Sequence, residues 1–285
     1  MNNTLDKNAE KALKKEMSKI ATKLKKLKFT DVPLVRDIIY HGAEILLQQH
    51  KVKSKPGKEQ QYVQQLNDDI SAIINNFRDV EITEIFIRER LDHKVISKKG
   101  VTDPEHIRYH IENYFIRLLK VKDQVCIFLN TYFQLGYKQN SSLEYKILHD
   151  PTLVTSGLDM YIRFFTESIS KLKDIRNVIA HRANFQTSDL AMMDALLLRK
   201  KLTAKDRRTY FQTREFLIRY FAFVSEANRK NFYSAVVSMF IILDGKYAGD
   251  YERFSGLQVP KQQGPKILRG SNEAILISAA TKVPE

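Results

Sequence analysis

Cysteine occurs once in 285 residues, at Cys126. No intrachain disulfide and no cysteine-based zinc site can form, and Cys126 on its apolar face is read as a small core hydrophobe. The 10 glycines are scattered, so no glycine-rich phosphate loop is present, and neither a nucleophile elbow nor an array of paired carboxylates appears. No run approaches the ~20 apolar residues of a membrane span, and the polar N-terminus reaches no apolar signal segment. The expectation is a cytoplasmic protein without metal or organic cofactor. Histidine-centred acid-base chemistry with cationic support is what the remaining residues can do.

Acidic residues are outnumbered as well. Against 47 lysines and arginines stand 33 aspartates and glutamates, a formal charge of +14, with a sequence pI of about 9.6. The excess is spread along the chain and favours polyanionic partners, RNA or DNA before an anionic membrane surface. The alternative is a solvated basic surface without a partner.

The apolar pattern is helical throughout. Leu13, Met17, Ile20, Leu24 and Leu27 mark a first helix whose opposite face is basic; it can lie on nucleic acid or lipid, or pack on its own domain. Pro33 opens a second through Leu34, Ile38 and Leu46. Period resumes after the Pro56-Gly57 loop at Tyr62, Leu66, Ile70 and Phe77 and runs to about Leu91. At Thr102-Asp103-Pro104-Glu105 helix-start signals coincide: Asp103 as N-cap with Pro104 at the first position, or Thr102 and Glu105 as a capping box. The helix that follows is predicted to run about 30 residues, to Gly136. A loop is predicted from about Asp150 to Gly157, then helices through Leu158 to Arg182, Leu190 to Leu197, and Thr203 to Leu243, the last with a break near Asn228. Beyond Lys246 a tail is expected, with Ala274-Ile275-Leu276-Ile277 as a short strand or docking segment.

One stretch combines this period with chemistry. In Ser168 to Arg182, Leu172, Ile175 and Ile179 form an apolar side, while Asn177 and His181, four apart, share a polar stripe with Asp174 and Asn184. Arg176 and His181 lie roughly 140° apart around an undistorted helix at about 100° per residue. They reach one phosphate only if the helix bends or ends, if the arginine swings round, or if a two-fold copy closes the site. Arg36 to His41 and Arg88 to His93 repeat the same spacing, but no long periodic helix precedes Arg36-Asp37 as one precedes Arg176, and Arg88 is followed by Glu89 rather than by an Asn, Asp or His. His106 and His110, four apart, can share a metal on one face, although no glutamate adjoins the first in zinc-protease order and Arg108 lies between them. The competing reading of His181 is a histidine hydrogen-bonded to the carbonyls of its own helix end, with Arg176 in a surface ion pair.

The Arg176-Asn177-x3-His181 segment, preceded by the long helix containing Glu112 to Arg117, resembles the motif of the HEPN superfamily, all-helical domains with ribonuclease members. The resemblance spans about 101 to 246 and implies an all-α helical bundle of HEPN type. Residues 1–100 then form a helical N-terminal region and 247–285 a partly irregular C-terminal tail. It further implies a metal-independent endoribonuclease, working by 2′-hydroxyl attack in a composite cleft of a homodimer, with His181 as acid or base, Arg176 on the scissile phosphate and Asn177 as orienting hydrogen-bonder. Partners so implied are RNA, a second copy of the chain, and an antitoxin or regulatory protein, if the protein serves as a toxin or antiviral effector. A non-catalytic HEPN-like dimer that binds nucleic acid or nucleotide is the alternative.

Overall fold

The computed structural model of the protein describes residues 28–52, 55–88, 100–168, 186–199 and 201–255. Every regular element among them is helical: a 3-10 turn at Phe29–Asp31, then α1 (Pro33–Val52), α2 (Lys58–Arg88), α3 (Asp103–Tyr132), α4 (Leu143–Leu148), α5 (Pro151–Ser156), α6 (Ser188–Leu197) and α7 (Ala204–Ser255). Residues 159–168 are helical too. The predicted all-α fold is what these residues adopt.

Local chemistry accounts for the helix ends. At α3 the Thr102 N–H donates to the Glu105 carboxylate at 2.8 Å and the Glu105 N–H to Thr102 Oγ1 at 3.4 Å, so the capping box forms and Asp103 is not the cap. Thr203 and Asp206 make the same reciprocal pair at the start of α7, both bonds 3.1 Å. The stretch expected as a loop at Asp150 holds the short helix α5. The Asp150 carboxylate caps it, accepting from Thr152 N–H at 2.9 Å and Leu153 N–H at 3.3 Å, and Gly157 ends it in the left-handed region at φ 75°. Helix α7 is continuous through Asn228 and past Lys246, 52 residues in all. No proline interrupts it, and a lone glycine such as Gly245 costs a helix only about 1 kcal/mol.

The described chain divides into two compact units, each assembled from separated stretches. The first takes 28–72, 125–164 and 231–255 of the described residues. Its core buries Leu34, Val35, Ile38, Leu66, Phe128, Ile147, Leu153, Ile162 and Phe240. Phe29 lies 4.4 Å from Tyr233 and 6.0 Å from Phe240, centroid to centroid, and Phe240 meets Phe128 edge-on at 5.1 Å. The Leu34 N–H at the head of α1 donates to Asp244 Oδ1 of α7 at 2.9 Å. At Gly42 the backbones of α1 and α2 come close enough that an added Cβ would stand 2.5 Å from Asn67 Cβ.

The second unit takes 73–88, 100–124, 165–168, 186–199 and 201–230 of the described residues. Phe77, Val80, Ile107, Ile111, Tyr114, Leu118, Leu190, Met193, Leu217 and Phe221 are buried in it, and the Tyr114 hydroxyl donates to the Ser225 carbonyl at 3.0 Å. Charge enters this unit in pairs. Buried Glu84 accepts from Arg229 Nε at 2.8 Å and pairs with Arg88 Nη2 at 3.0 Å.

Candidate functional site

The three predicted site residues, Arg176, Asn177 and His181, fall outside the described residues, as do His93, the helix read at residues 1–27 and the tail beyond Ser255. What is described is the chain on either side. Leading in, Ile162 and Phe165 of the 159–168 helix are fully buried. Leading out, Gln186 follows His181 by five residues. Arg108 Nη2 on α3 donates to Gln186 Oε1 at 2.8 Å and to Asp194 Oδ2 of α6 at 2.8 Å, and Gln186 Nε2 reaches the same carboxylate at 3.4 Å. Thr187 then caps α6 by accepting from the Leu190 N–H at 3.2 Å. A single guanidinium, its side chain 12% exposed, ties α3 to the exit of the motif segment. Separations of 78 and 86 residues leave no local signal of it in the sequence.

One turn away on α3 stands the histidine pair. His106 and His110 meet edge-on with ring centroids 4.5 Å apart, and His110 stacks on Phe86 of α2 at 5.2 Å. Burial lowers the pKa of His106, and burial followed by the proximity of His106 pushes that of His110 down to about 4. Both rings are neutral at pH 7, and one with a pKa near 4 is a weak base. His106 Nε2 is buried without a hydrogen-bond partner among the described residues. Nearby Asp103 accepts from the Tyr210 hydroxyl at 3.2 Å and pairs with Arg214 at 2.8 Å, so its carboxylate is committed to α7. No cluster of three metal-ligating side chains occurs among the described residues.

The other arginines with a histidine five residues on are engaged differently. Arg88 is held by Glu84, Glu226 and the Ala222 carbonyl, and Glu226, bonded to Lys230 and Arg88, has its carboxyl drawn down to about 2. A guanidinium so paired is a structural cation rather than a phosphate ligand. Arg36 contacts its neighbour Asp37 at 3.4 Å and lies close enough to Asp244 to act on its charge.

In the first unit a shallow depression of about 610 Å³ is lined by Lys58, Gln61, Tyr62, Gln65, Asn130 and Thr131, among others. Its polar groups are largely spent inside the protein. Asn130 Nδ2 donates to the Tyr137 carbonyl and its Oδ1 accepts from the Tyr137 N–H, both at 3.0 Å, while the Tyr62 hydroxyl donates to the Tyr132 carbonyl at 3.0 Å.

No helix among the described residues is long and apolar enough to cross a membrane. No curated protein and no solved structure matches the chain. A family model does, described as HEPN_Cthe2314-like HEPN, over residues 62–231. That span takes in most of α2, all of α3 to α6, the segment with Arg176, Asn177 and His181, and α7 as far as Asn231. It covers well over half of the sequence, and the chain belongs to the HEPN superfamily as a member of this family.

Proposed function

We propose that the protein is a metal-independent endoribonuclease whose site is built by Arg176, Asn177 and His181. The observation that carries this reading is that the family match runs through all three residues, in a chain whose formal charge of +14 suits a polyanionic substrate. Transfer of the phosphodiester to the ribose 2′-oxygen needs a base for that hydroxyl, an acid for the leaving 5′-oxygen and a cation on the phosphorane-like transition state. His181 moves the protons, Arg176 meets the developing charge, and Asn177 orients the phosphate or the imidazole.

Two proton transfers and one motif histidine per chain favour a homodimer in which the motif segments of two copies supply one cleft. The buried pair His106 and His110 is a poor source of the proton for the leaving oxygen, because burial lowers the proton affinity of both rings.

Incubation of purified protein with total RNA in the presence of a chelator tests the reading. Cleavage is expected with wild type and lost with His181→Ala, while helicity and most RNA affinity persist, because one neutral side chain adds little to a many-phosphate interaction. Cleavage by His181→Ala at the wild-type rate refutes the assignment. RNA binding without cleavage by the wild-type protein identifies a non-catalytic nucleic-acid-binding member instead.

A further inference from the structure

The first half of α7 carries aromatic side chains on its outside. Phe216, Tyr220 and Phe223 are 56%, 50% and 72% exposed. At positions i, i+4 and i+7 they fall within about 60° of one another on the helix and extend over about 10 Å of its length. They form an ordered surface, since the rings of Phe216 and Tyr220 lie nearly parallel, 17° apart in plane and 5.9 Å between centroids. Isolated exposed apolar residues need no explanation, but three large rings along one helix face do.

Cations share this face of α7, Arg219 among the rings and Arg208 and Lys205 two to three turns before Phe216. Lys205, Arg208 and Arg219 are exposed on the same side of the helix, and Lys205 and Arg208 take part in no ion pair among the described residues. Arg219 makes one loose contact, 3.9 Å from Glu215, with its side chain 83% in solvent. From Ala204 to Lys230 the helix holds seven basic and three acidic residues. Phe211, 56% exposed, adds a fourth ring on the flank beside Arg207 and Arg208.

Two occupants compete for such a face, and both size and charge separate them. At roughly 200 Å² for a whole aromatic side chain, the three rings offer about 350 Å², less than half of the ~800 Å² that each partner of a standard protein interface covers. Two-fold antiparallel pairing with a second copy through this face would also set Arg219, at its centre, against its own image, a like-charge arrangement that disfavours association. A polyanion with flat apolar faces fits both features. Stacked bases follow one another at about 3.4 Å, so 10 Å of helix accommodates about three.

We infer that the Phe216, Tyr220 and Phe223 face of α7, with Arg219 among the rings and Arg208 and Lys205 two to three turns before them on the same side, is a stacking platform that holds an unpaired stretch of the RNA substrate. The inference rests on the proposed ribonuclease reading and adds the form of the substrate: single-stranded, held by base stacking and phosphate contacts without sequence readout. A duplex, whose base faces are covered, gains nothing from the rings.

The test measures binding of the full-length protein to a fluorescein-labelled 12-nucleotide 2′-O-methyl oligouridylate, which 2′-hydroxyl attack cannot cleave, and to a 12-base-pair RNA duplex, across a salt series. The Phe216→Ala/Tyr220→Ala/Phe223→Ala variant should bind the single strand at least tenfold more weakly, since one stacked base is worth about that much or more. Its duplex affinity, helicity and slope of affinity against salt should be unchanged, because no charge and no core residue has been removed. Lys205→Ala/Arg208→Ala/Arg219→Ala should flatten the slope. The platform is overturned if the aromatic variant holds the single strand as tightly as wild type, loses duplex affinity equally, or turns a dimer into a monomer. If wild type cleaves RNA in any of those cases, the proposed function survives without the platform; if wild type neither binds nor cleaves, both fail.

Discussion

His110 gives the most direct test of the physical account of the second unit. Its ring is stacked on Phe86 and set edge-on to His106, and burial holds its pKa down to about 4 against an ordinary 6.5. Between those values the unfolded chain binds a proton that the folded chain refuses. Stability is therefore fully present above pH 6.5 and is lost as the pH falls towards 4. The displacement sets a ceiling of about 3 kcal/mol, and because the ring is only half buried, about 1.5 kcal/mol is the expected share. Urea unfolding of wild type and His110→Gln at pH 7.0 and pH 4.5 isolates the effect, since carboxylates titrating in the same range act on both proteins alike. Wild type should lose about 1.5 kcal/mol more than the variant, a midpoint difference of about 0.5 M for a chain of this size. Equal losses, or an NMR titration placing His110 near 6.5, would refute the reasoning.

Glu84→Ala leaves Arg88 and Arg229 without their buried partner; since Arg88 keeps Glu226, the cost should be about 2 to 3 kcal/mol rather than the upper part of the range for broken buried pairs, read as a fall in melting temperature of roughly 5 to 10 °C. Gly42→Ala must push Asn67 aside, and the overpacking of about 1 to 3 kcal/mol should outweigh the ~1 kcal/mol that alanine gains over glycine in a helix; denaturant unfolding checks the sign. Mixed Arg176→Ala and His181→Ala subunits should regain part of the RNA cleavage if the site is shared across a two-fold axis, and none if each chain holds a complete site. His41→Ala should leave cleavage unchanged, as its arginine partner in spacing, Arg36, belongs to a motif copy outside the family match.

The helices were legible because their apolar residues repeat at helical period over 20 residues or more, as in α1, α2 and α3. Helix α5 was not: it has six residues, too few to show a period, and its Asp150-Pro151 start and Gly157 stop read equally well as a loop. Gly245 and Gly249 invited an early end to α7, yet neither outweighs the packing of Val236, Phe240 and Leu243 just before them. The Arg176-Asn177-x3-His181 pattern is local and so readable from the sequence, and the family match spans it, while the residues themselves lie outside the described ones. The couplings Arg108 to Asp194 and Arg229 to Glu84 join residues 86 and 145 positions apart, and no local pattern distinguishes those arginines from the many others.

The bond between the Leu34 N–H and Asp244 joins residues 210 positions apart. During synthesis at about 5 to 20 residues per second, the head of α1 waits on the order of 10 to 40 s before its carboxylate partner even exists. Throughout that interval Phe29 lacks the Tyr233 and Phe240 rings it meets in the finished fold, and the nascent chain presents it to whatever binds apolar segments at the ribosome. Every described stretch of the second unit lies between residues 73 and 230 and leaves the exit tunnel earlier, so that unit can complete its contacts while the first is still waiting for the second half of α7.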